Sequence, residues 1–503
     1  MRLAELIAGL PVERAAHAAS PAGALEAVEV SGVAHDSRTV APGDLFVAMV
    51  GEHHDGRAFA DSAVGRGAVA VLGSGDVGGI SGVPEGFPVP WLIAADPRLL
   101  LGPLAARAYG HPDRELLLVG VTGTNGKSTV ATLVAAVLAE ATGKPAGFIG
   151  TLGYRLGGQP FPGERTTPEA SDLFRTLRQM RDQGAAGVAM EVSSHALDLH
   201  RVDGAGFDAG IFTNLTRDHL EFHGDMEGYF AAKKRLFDHL KPGGRTVVNL
   251  DDPYGRRLAA EIPGALTYGT RADAGMVAPL SVELATSGIR ATLATPRGEL
   301  AFHSPLLGRF NLENLLAAAG GAEALGLPHA AIAAAFAAQR PIAGRMEPVD
   351  RGQPFPVFVD YAHTDAALTA ALRSVRELAQ TKVAVVFGCG GERDPGKRPV
   401  MGRVAGELAD LPIATSDNPR REDPHAILQA VEEGLRASGN RAYRVVPDRR
   451  EAIRAAVAAA SLGWAVLVAG KGHEETQDLG GSKIPFSDRE EIARALEERF
   501  GPL

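Results

Sequence analysis

Short apolar runs that end in Gly, Asp, Asn or Glu alternate along this chain with longer stretches rich in Ala and Leu. Runs of roughly four to eight apolar residues are typical of buried strands, and apolar residues at helical spacing are typical of helices. Alternation of the two is typical of βαβ units, which form parallel sheets. The pattern therefore predicts an α/β fold, and the lack of a fixed-period repeat argues against solenoids and propellers.

Two breaks in the pattern divide the chain into three predicted domains. The first domain, residues 1–108, ends in a helical stretch, and the second, residues 109–340, opens on the strand-like run ELLLVGV. The third domain, residues 341–503, begins where Pro341 and Gly344 interrupt regular structure. A length of 503 residues agrees with about three domains.

Composition narrows the class of protein. Apolar residues make up 45% of the chain and charged residues 22%, as in ordinary globular proteins. The net charge of −9, from 51 basic and 60 acidic residues, argues against a nucleic-acid binder. The single cysteine, Cys389, excludes a disulfide framework and a cysteine-based zinc site, and we expect it to be buried. We expect a cytoplasmic protein without membrane insertion, because neither a signal peptide nor a spanning stretch is evident.

Polar motifs follow the ends of six apolar runs. VAMEV leads into SSHAL, AGIFTN into LTRDHL, FPVFVD into YAHTD, VAVVFGCG into GERDPGKR, LPIATSD into NPRRED, and AVLVAG into KGHEET. Open α/β sheets bind ligands outside the carboxyl ends of their strands. Gly, Asp and Asn also make simple turns at such positions, but six motifs placed in this way indicate ligand binding.

The segment GVTGTNGKSTV, residues 120–130, lies between a predicted strand and a predicted helix. A glycine-rich turn of this kind points backbone N–H groups at a phosphate, and the helix dipole adds to the attraction. Lys127 would face the β- and γ-phosphates, and Ser128 would offer its hydroxyl to Mg²⁺. Val121 stands where the strict P-loop pattern has glycine, but strand, loop and helix follow in the required order.

The chain also contains candidate magnesium ligands. Mg²⁺ prefers oxygen, and Glu191 ends an apolar run, where a buried carboxylate is costly without a cation. His195, Asp218 and His219 lie near predicted strand ends as well. Lys233 lies in the amphipathic stretch GYFAAKKRLFDHL, where the residues alone favour a solvated lysine.

Ten motifs in chain order resemble the Mur ligases. They are GTNGKST, MEVSSHAL, TNLTRDHLEFHGD, AAKKRLF, GRFNLENLLAA, PIAGRMEPV, VDYAHT, GCGGERDPGKRPVMG, SDNPRREDP and GKGHEETQ. The resemblance covers the chain from Asp36 to about Asp488 and is greatest to the members that add meso-diaminopimelate. It implies a small N-terminal α/β domain for the UDP end of the substrate, a central ATP-binding domain whose parallel sheet is like that of P-loop ATPases, and a Rossmann-like C-terminal domain for the amino acid.

The resemblance further implies the substrates and the reaction. The substrates would be UDP-N-acetylmuramoyl-L-Ala-D-Glu, ATP and meso-diaminopimelate, with Mg²⁺ as cofactor. The D-Glu carboxylate would attack the γ-phosphate of ATP, and the diaminopimelate amine would then displace phosphate from the acyl phosphate. The enzyme would be a cytoplasmic monomer that acts in peptidoglycan precursor synthesis.

Site residues are implied only where this sequence matches the motifs of the family. For the UDP-linked substrate they are Ser37, Arg38, His53, His54, Thr166, Thr167, Ser193 and Arg201. For ATP they are Gly123, Thr124, Asn125, Gly126, Lys127, Ser128, Thr129, Asn311, Arg345 and Asp360. For diaminopimelate they are Arg393, Asp417, Asn418, Arg420, Gly470 and Glu474. The implied catalytic residues are Lys127, Glu191, His219 and Lys233. The implied metal ligands are Ser128, Glu191, His219 and Lys233, the last as a carbamate.

The segment Asp417-Asn418-Pro419-Arg420 matches the DNPR signature of the members that add meso-diaminopimelate, and the chemistry of these residues agrees with that resemblance. Diaminopimelate differs from lysine by a second charged α-amino-acid end. Arg420 can pair bidentately with the extra carboxylate, while Asp417 and Asn418 can face the ammonium. A lysine-adding enzyme would have little use for an arginine at this position.

Three alternatives stay open. Another Mur-type ligase, adding L-lysine or acting on a folate polyglutamate, is the nearest, and Arg420 and the HDSR segment argue against it. A switch or transport ATPase usually ends the matching strand in Asp, whereas this one ends in Glu191. If the protein were only a UDP-sugar-binding module, the second predicted domain, residues 109–340, would have no role. A ligase needs both acceptor and amine for ATP turnover, and a switch needs neither.

Overall fold

The computed structural model describes residues 1–14, 24–51, 54–75, 86–163, 165–271, 275–285 and 287–501. Within these ranges the chain forms two compact units. The first comprises residues 1–122, 138–211 and 231–246, and the second comprises residues 123–137, 212–230 and 247–503. Each unit is described separately below.

The first unit opens on a five-stranded sheet. Its elements are α1 (Leu3–Ile7), β1 (Glu13–Arg14), α2 (Ala24–Ala27), β2 (Gly32–Ala34), β3 (Asp44–Ala48), α3 (Ala60–Gly65), β4 (Ala70–Ser74), β5 (Trp91–Ala94) and α4 (Pro97–Ala108). The strand order is β1-β5-β4-β3-β2, and all neighbours are parallel except β1 with β5. The helix predicted before residue 108 is α4.

A larger, mainly parallel sheet follows. The next elements are β6 (Leu117–Thr122), α5 (Lys127–Thr142), β7 (Ala146–Gly150), β8 (Gly153–Leu156), β9 (Gln159–Phe161), α6 (Ala170–Asp182), β10 (Gly187–Glu191), α7 (Ser194–Asp198), β11 (Phe207–Phe212), α8 (Leu220–His223), α9 (Met226–Lys234) and β12 (Leu240–Asn249). These strands lie in the order β12-β11-β6-β10-β7-β8-β9, and an eighth strand, residues 266–268, extends the sheet beside β12. Strand β10 pairs in parallel with β6, which places Glu191 opposite Val121 at the carboxyl end of both strands.

One apolar core serves both sheets of the first unit. It includes Leu45 and Leu72 of the small sheet, Leu104 of α4, and Val188 and Met190 of the larger sheet, each 0% exposed. Continuous apolar strands of this kind are typical of parallel sheets covered on both faces.

The second unit contains a parallel pair, an antiparallel sheet and several helices before residue 340. The elements are α10 (Pro253–Glu261), β13 (Leu266–Tyr268), β14 (Ala278–Ala285), β15 (Gly288–Thr295), β16 (Gly298–Ser304), α11 (Arg309–Ala324) and α12 (His329–Ala337). Strand β13 pairs in parallel with the last three residues of β12. Strands β14, β15 and β16 form a three-stranded antiparallel sheet, which the sequence analysis did not predict.

The rest of the second unit is a six-stranded sheet with helices on both faces. Its elements are β17 (Glu347–Pro348), β18 (Val357–Asp360), α13 (Asp365–Leu378), β19 (Val383–Phe387), α14 (Lys397–Leu408), β20 (Leu411–Ala414), α15 (Pro424–Ala437), β21 (Arg444–Val445), α16 (Arg449–Ala459), β22 (Ala465–Ala469), β23 (Thr476–Leu479), β24 (Ser482–Pro485) and α17 (Asp488–Phe500). The order is β17-β18-β22-β19-β20-β21, parallel except for β17, and β23 and β24 form a separate hairpin.

Two cores lie on opposite faces of this sheet. In β19, Val383, Val385 and Phe387 pack on one side, while Ala384 and Val386 pack on the other. This alternation follows from the two-residue period of a strand. Doubly covered parallel strands fulfil the expectation of a Rossmann-like C-terminal region, and the α/β class predicted from the sequence is confirmed. The domain boundaries at residues 108 and 340 stay a prediction.

Two buried features of the second unit stand out. Arg449 and Asp488 form a bidentate ion pair in which both side chains are 0% exposed, and Arg449 Nη2 also donates to the Ala469 carbonyl at 2.9 Å. Cys389 is 3% exposed, and burial raises the pKa of its thiol to about 12, so the expectation that this cysteine is buried is confirmed.

Among the described helices, none combines the length and apolar character needed to cross a membrane.

Candidate active site

The phosphate loop lies between β6 and α5, as predicted, and two of its glycines adopt left-handed conformations. Gly123 has a φ of +143° and Gly126 a φ of +87°. A Cβ at Gly123 would clash with Thr213 Oγ1, and a Cβ at Gly126 would clash with Asn314 Oδ1. Both positions therefore require glycine for conformation and for space.

Asn214, just after β11, holds this loop in shape. Its carbonyl accepts the Thr124 N–H at 2.9 Å, and its Oδ1 accepts the Asn125 N–H at 2.9 Å. Thr213 Oγ1 donates to the Asn125 carbonyl at 2.6 Å. The loop is thus fixed by the residues that follow the neighbouring strand.

Lys127 begins α5 and turns its ammonium back onto the loop. Its Nζ donates to the carbonyls of Gly123 and Thr124, both at 2.9 Å. Ser128 and Thr129 follow and are 2% and 3% exposed. The first N–H groups of a helix have no acceptor within the helix, so the loop, the helix start and the cation together can bind an anion.

Arg345 reaches this loop from the segment after α12, and its expected contact with the phosphates stays a prediction. Its Nη2 donates to Ser128 Oγ at 3.3 Å, and its guanidinium lies 4.8 Å from the centre of the Tyr361 ring. Gly344 has a φ of +63°, and a Cβ there would clash with the backbone of Gly472. The segment therefore packs directly on the loop that follows β22.

Asn311 and Asp360 lie in the same unit, where their side chains bind protein atoms. Asn311 is 1% exposed, its Nδ2 donates to the Leu307 carbonyl at 2.8 Å, and its Oδ1 accepts from Asn314 Nδ2 at 3.0 Å. Asp360 accepts the Met346 N–H at 2.7 Å, and burial raises the pKa of its carboxyl. Both residues hold α11 and the Arg345 segment in place, and their contacts with ATP stay a prediction.

Asp218 and His219 follow β11 and lie near His363. Asp218 Oδ2 lies 3.4 Å from His219 Nε2 and 3.9 Å from His363 Nε2. Burial opposes ionisation of Asp218, but electrostatic interactions with His219, His363, Lys397 and Lys127 keep the pKa of its carboxyl below its usual value. Burial and the charge of Lys397 lower the pKa of His363. The cluster therefore contains an anionic carboxylate surrounded by basic groups.

Glu191 ends β10 in the first unit and is 1% exposed. Its Oε1 accepts the Thr151 N–H at 2.9 Å, its Oε2 accepts the Thr151 hydroxyl at 3.3 Å, and its carbonyl accepts the Thr167 hydroxyl at 2.9 Å. A buried carboxylate of this kind suits a hard cation such as Mg²⁺. Among the residues that the structure describes, no three or more His, Cys, Asp or Glu side chains are grouped so that they could hold a metal ion.

Lys233 is 1% exposed, so the solvated lysine that the residues alone favoured is wrong. It lies on α9, which also buries Tyr229 and Phe230. The stretch does form a helix, but its lysine face is not the exposed one. An ammonium is costly to bury unless it is compensated, whereas a carbamate would supply an anionic oxygen for a metal.

The first unit brings together four residues implied for the UDP-linked substrate. Thr167 is 1% exposed, its Oγ1 accepts the Ser193 N–H at 3.1 Å, and its carbonyl accepts from Arg201 Nη1 at 3.4 Å. Thr166 Oγ1 lies 3.1 Å from the Thr151 hydroxyl, which donates to the Glu191 carboxylate. These residues therefore lie around the carboxyl end of β10.

Glu169 was not predicted as a site residue, yet three arginines surround it. Its carboxylate lies 2.8 Å from Arg165, 2.8 Å from Arg201 and 3.7 Å from Arg98, and the residue is 6% exposed. Three cations around one carboxylate leave a positive site, which suits an anionic substrate. The sequence alone did not indicate that a glutamate before a helix would lie among arginines from separate segments.

The remaining residues implied for the UDP-linked substrate follow the small sheet. Ser37 is 9% exposed, while the Arg38 side chain is 85% exposed and forms a bidentate pair with Asp36. Hydrogen bonds from Arg38 lower the pKa of Asp36 to about 2. His54 is exposed, and His53 lies outside the described residues.

Three adjacent strand ends carry the residues implied for diaminopimelate. Arg393 follows β19, Asp417, Asn418 and Arg420 follow β20, and Gly470 and Glu474 follow β22. A Cβ at Gly470 would clash with Asp417 Oδ2, so only glycine allows β22 to end so close to this carboxylate. Arg420 has a φ of +52°, and its Nη1 donates to the Gly391 carbonyl. The structure thus places these six residues after three adjacent strands, and their contacts with diaminopimelate stay a prediction.

Lys471 joins this group, although the sequence analysis did not select it. It is 0% exposed, and its Nζ donates to Asn418 Oδ1 at 3.1 Å and to Glu474 Oε2 at 2.9 Å. The available signal was its place between two glycines in GKGHE, next to residues that were selected.

Comparison with known proteins identifies the family of this chain. Residues 29–108 match the family described as "Mur ligase family, catalytic domain", residues 121–322 match the "Mur ligase middle domain", and residues 344–472 match the "Mur ligase, glutamate ligase domain". The chain therefore belongs to the Mur ligase family, whose members are ATP-dependent amide ligases. The family expected from the motifs is confirmed.

Similar proteins point to one member of the family. The chain is 47% identical over 500 residues to the UDP-N-acetylmuramoyl-L-alanyl-D-glutamate–2,6-diaminopimelate ligase of Geobacter metallireducens, covering 95% of this chain and 96% of that protein. A solved structure of a ligase of that name is 33% identical, with a TM-score of 0.68 and 99% of each chain covered. The MurF ligase of Thermotoga maritima, solved in complex with ADP, shares the fold at 16% identity, with a TM-score of 0.62 and coverage of 93% and 97%.

Proposed function

We propose that this ligase joins meso-diaminopimelate to UDP-N-acetylmuramoyl-L-Ala-D-Glu and converts ATP to ADP and phosphate, a step of peptidoglycan precursor synthesis. The observation that carries the proposal is the 47% identity to the Geobacter metallireducens ligase over nearly the whole length of both chains. The grouping of Asp417, Asn418 and Arg420 at one strand end supports diaminopimelate as the amine.

The first half-reaction makes the acceptor reactive. The terminal D-Glu carboxylate attacks the γ-phosphate of ATP, ADP leaves, and an acyl phosphate results. Lys127 and the N–H groups at the start of α5 offset the charge of the phosphates, and Arg345 adds a second cation at Ser128. Because little covalent chemistry falls to the protein, positioning and charge supply most of its contribution.

The proposal includes Mg²⁺, which would neutralise the transferring phosphoryl group when it is bound. The oxygen of Ser128, the buried carboxylate of Glu191 and a carbamate on Lys233 are donors that Mg²⁺ prefers, and His219 would be the further ligand. We propose that the ion is held jointly with phosphate oxygens and water, since Mg²⁺ usually keeps such ligands.

The second half-reaction forms the amide. The diaminopimelate amine attacks the acyl carbon, a tetrahedral intermediate forms, and phosphate leaves while the nitrogen loses a proton. Arg393 and Arg420 would hold the distal carboxylate, and Asp417, Asn418 and Glu474 would face the distal ammonium. Water must be excluded at this stage because it would hydrolyse the acyl phosphate.

The acceptor would bind through the first unit. Ser37, Arg38, His53 and His54 would contact its uridine end. Thr166, Thr167, Ser193 and Arg201 would contact its muramoyl-dipeptide, and the positive site around Glu169 supports binding of an anion there. Gly123 to Thr129, Asn311 and Asp360 would contact ATP. We place the reaction in the cytoplasm, where ATP is available, and propose a monomer, which the mass in solution would test.

Product mass spectrometry tests the proposed function directly. Purified protein is incubated with ATP, UDP-N-acetylmuramoyl-L-Ala-D-Glu and, separately, meso-diaminopimelate, L-lysine, L-ornithine or L-glutamate. We expect one new UDP-linked product with diaminopimelate, and ADP formation only when acceptor and amine are both present. A product with lysine but not with diaminopimelate, or ADP formation without an amine, would contradict the proposal.

A further inference from the structure

Lys471 is a buried cation to which the mechanism above gives no role. It follows β22 and is flanked by Gly470 and Gly472, which have φ values of +116° and +55°. Its side chain is 0% exposed, although lysine is rarely buried completely without a partner. The two glycines let the chain turn closely past Asp417 and Tyr361, where a Cβ at either position would clash.

The Lys471 ammonium closes a triangle of polar side chains. Its Nζ donates to Asn418 Oδ1 at 3.1 Å and to Glu474 Oε2 at 2.9 Å. Asn418 Nδ2 donates to the same Glu474 oxygen at 2.8 Å. Asn418 Oδ1 also accepts the Asp478 N–H at 3.0 Å.

This triangle sets the orientation of two residues that the proposed function assigns to the amine substrate. An ammonium and a backbone N–H can only donate, so the oxygen of the Asn418 amide must face them and its nitrogen must face Glu474. Glu474 Oε2 receives two donors, while the Glu474 side chain stays 31% exposed. The ammonium of an incoming substrate would therefore meet a Glu474 carboxylate whose Oε2 is already held by two hydrogen bonds.

A buried ion pair alone would not indicate a role in binding, because such pairs also hold loops together. Here the two acceptors of Lys471, Asn418 and Glu474, are both residues that we propose to face the substrate. Among the hydrogen bonds of the described residues, the Lys471 ammonium donates to these two side chains only. Side chains ordered before the ligand arrives lower the entropy lost on binding. The geometry thus connects the buried cation to the affinity of the site.

We infer that Lys471 is a positioning residue of the amino-acid site, which acts on diaminopimelate through Asn418 and Glu474. The inference rests on the proposed function, because it takes diaminopimelate to be the ligand of those two residues. Lys471 acts without touching the reacting atoms, so its removal affects binding of one substrate more than the chemical step.

Lys471→Met tests this role, because methionine fills similar space without charge or donors. We expect the KM for diaminopimelate to rise at least about tenfold, while kcat and the KM values for ATP and the UDP-linked substrate change less than about threefold. Lys483→Met is the matched control, since it removes the same charge from an exposed strand and should leave all three KM values unchanged. Initial rates of ADP release, with each substrate varied in turn, supply these values.

A double-variant cycle separates positioning from general support. If Lys471 acts through Glu474, then Lys471→Met and Glu474→Gln together should raise the KM for diaminopimelate by less than the product of their separate effects. Fully multiplicative effects, or a lower melting temperature with an unchanged KM for diaminopimelate, would overturn the inference.

Lys471→Arg provides a second variant should the methionine variant not fold. It keeps the charge, but a planar guanidinium cannot reproduce the two contacts of a compact ammonium, so we expect the same KM to rise at least about fivefold. An unchanged KM for diaminopimelate would overturn the inference. Failure of the wild-type chain to use diaminopimelate at all would instead overturn the proposed function.

Discussion

At the scale of single residues, the site depends on charged groups that are removed from water. Glu191 and Lys233 are each 1% exposed, Lys471 is 0% exposed, and Asp417 is 7% exposed. A buried charge is costly unless a partner or ligand compensates it, and these four residues are among those to which we assign a role in binding or catalysis. Substitutions at these positions should therefore affect catalysis and binding more selectively than substitutions in the apolar cores.

Lys127 is the first residue for which we expect a large loss of activity. Lys127→Ala removes the cation that lies on the phosphate loop, and we expect the ligation rate to fall at least about a hundredfold, because charge that develops in phosphoryl transfer is no longer offset. Lys144→Ala, which changes an exposed lysine after the same helix, should retain full activity. Ligation assays and circular dichroism check the two variants. Activity like that of the wild type in Lys127→Ala would exclude the phosphate-loop assignment.

Lys233 tests the carbamate. Lys233→Ala should be inactive, and added short-chain carboxylates should partly restore activity because they supply the missing oxygen ligands. Raised bicarbonate should not help this variant, since no amine is left to carbamylate. Lys234→Ala, the next residue of the helix, is the control and should stay active without additives. A fully active Lys233→Ala enzyme would show that the lysine has a packing role only.

Arg420 tests the choice of amine. Truncating one partner of a buried charged pair costs roughly 2–5 kcal/mol, and about 1.4 kcal/mol corresponds to tenfold, so Arg420→Ala should lower kcat/KM for diaminopimelate about 30-fold or more. Any slow reaction with lysine should be spared, because lysine lacks the second carboxylate. Arg421→Ala, which changes an exposed neighbour, should alter neither kcat/KM for diaminopimelate nor the reaction with lysine. Equal losses for both amines would mean that Arg420 serves mainly to hold the Gly391 carbonyl.

At the scale of elements, the strands and their polar ends could be predicted from the sequence. Apolar runs such as VAVVF and AVLVA became β19 and β22, and the motifs that follow them meet because parallel strands end at the same edge. The antiparallel sheet β14-β15-β16 was missed, since its strands mix apolar and polar residues without a long apolar run.

Parts of the site could not be predicted because they depend on tertiary packing. Lys233 and Lys234 are adjacent in an amphipathic stretch, and the sequence alone does not tell which of them the fold buries. The three arginines around Glu169 come from three separate segments, and the spacing of residues along the sequence does not predict such contacts. His53 lies outside the described residues, so its role stays a prediction.

Helix α11 carries a group that should make stability depend on pH. Burial, together with the charges of Asp251 and Asp252, raises the pKa of Glu313 from 4.5 to about 7. The folded state then holds this proton more tightly than the unfolded state, so the stability contributed at low pH is lost as pH rises from about 4.5 to about 7. Glu313→Gln should therefore raise the melting temperature at pH 8 but hardly at pH 4.5.

Glu299→Gln is the control for this prediction, because it removes the same charge from an exposed strand position. Its melting temperature should stay close to that of the wild type at both pH values. Differential scanning fluorimetry gives the comparison. An equal stabilisation by Glu313→Gln at both pH values would contradict the assigned pKa.

At the scale of the whole molecule, stability depends on contacts between distant parts of the chain. Arg449 and Asp488 are 39 residues apart in sequence and form a fully buried pair. Asp488→Asn leaves the arginine charge without its partner and should lower the free energy of unfolding by about 3–5 kcal/mol. Glu497→Ala, an exposed change on the same helix, should have little effect, and the combined change Arg449→Met with Asp488→Leu should recover much of the loss. Urea unfolding followed by fluorescence checks all three.

The same pair has a consequence for synthesis of the protein in the cell. The ribosome adds Asp488 39 residues after Arg449, so during that interval the arginine lacks its ion-pair partner. Strand β22 is also made in that interval, and Arg449 holds its last carbonyl, that of Ala469. Because β22 lies between β18 and β19, the sheet that carries the amino-acid site lacks an inner strand until residues 465–469 have been translated. A nascent chain that stalls there should be bound by chaperones and degraded by proteases, whereas the five-stranded sheet made before it has long been complete.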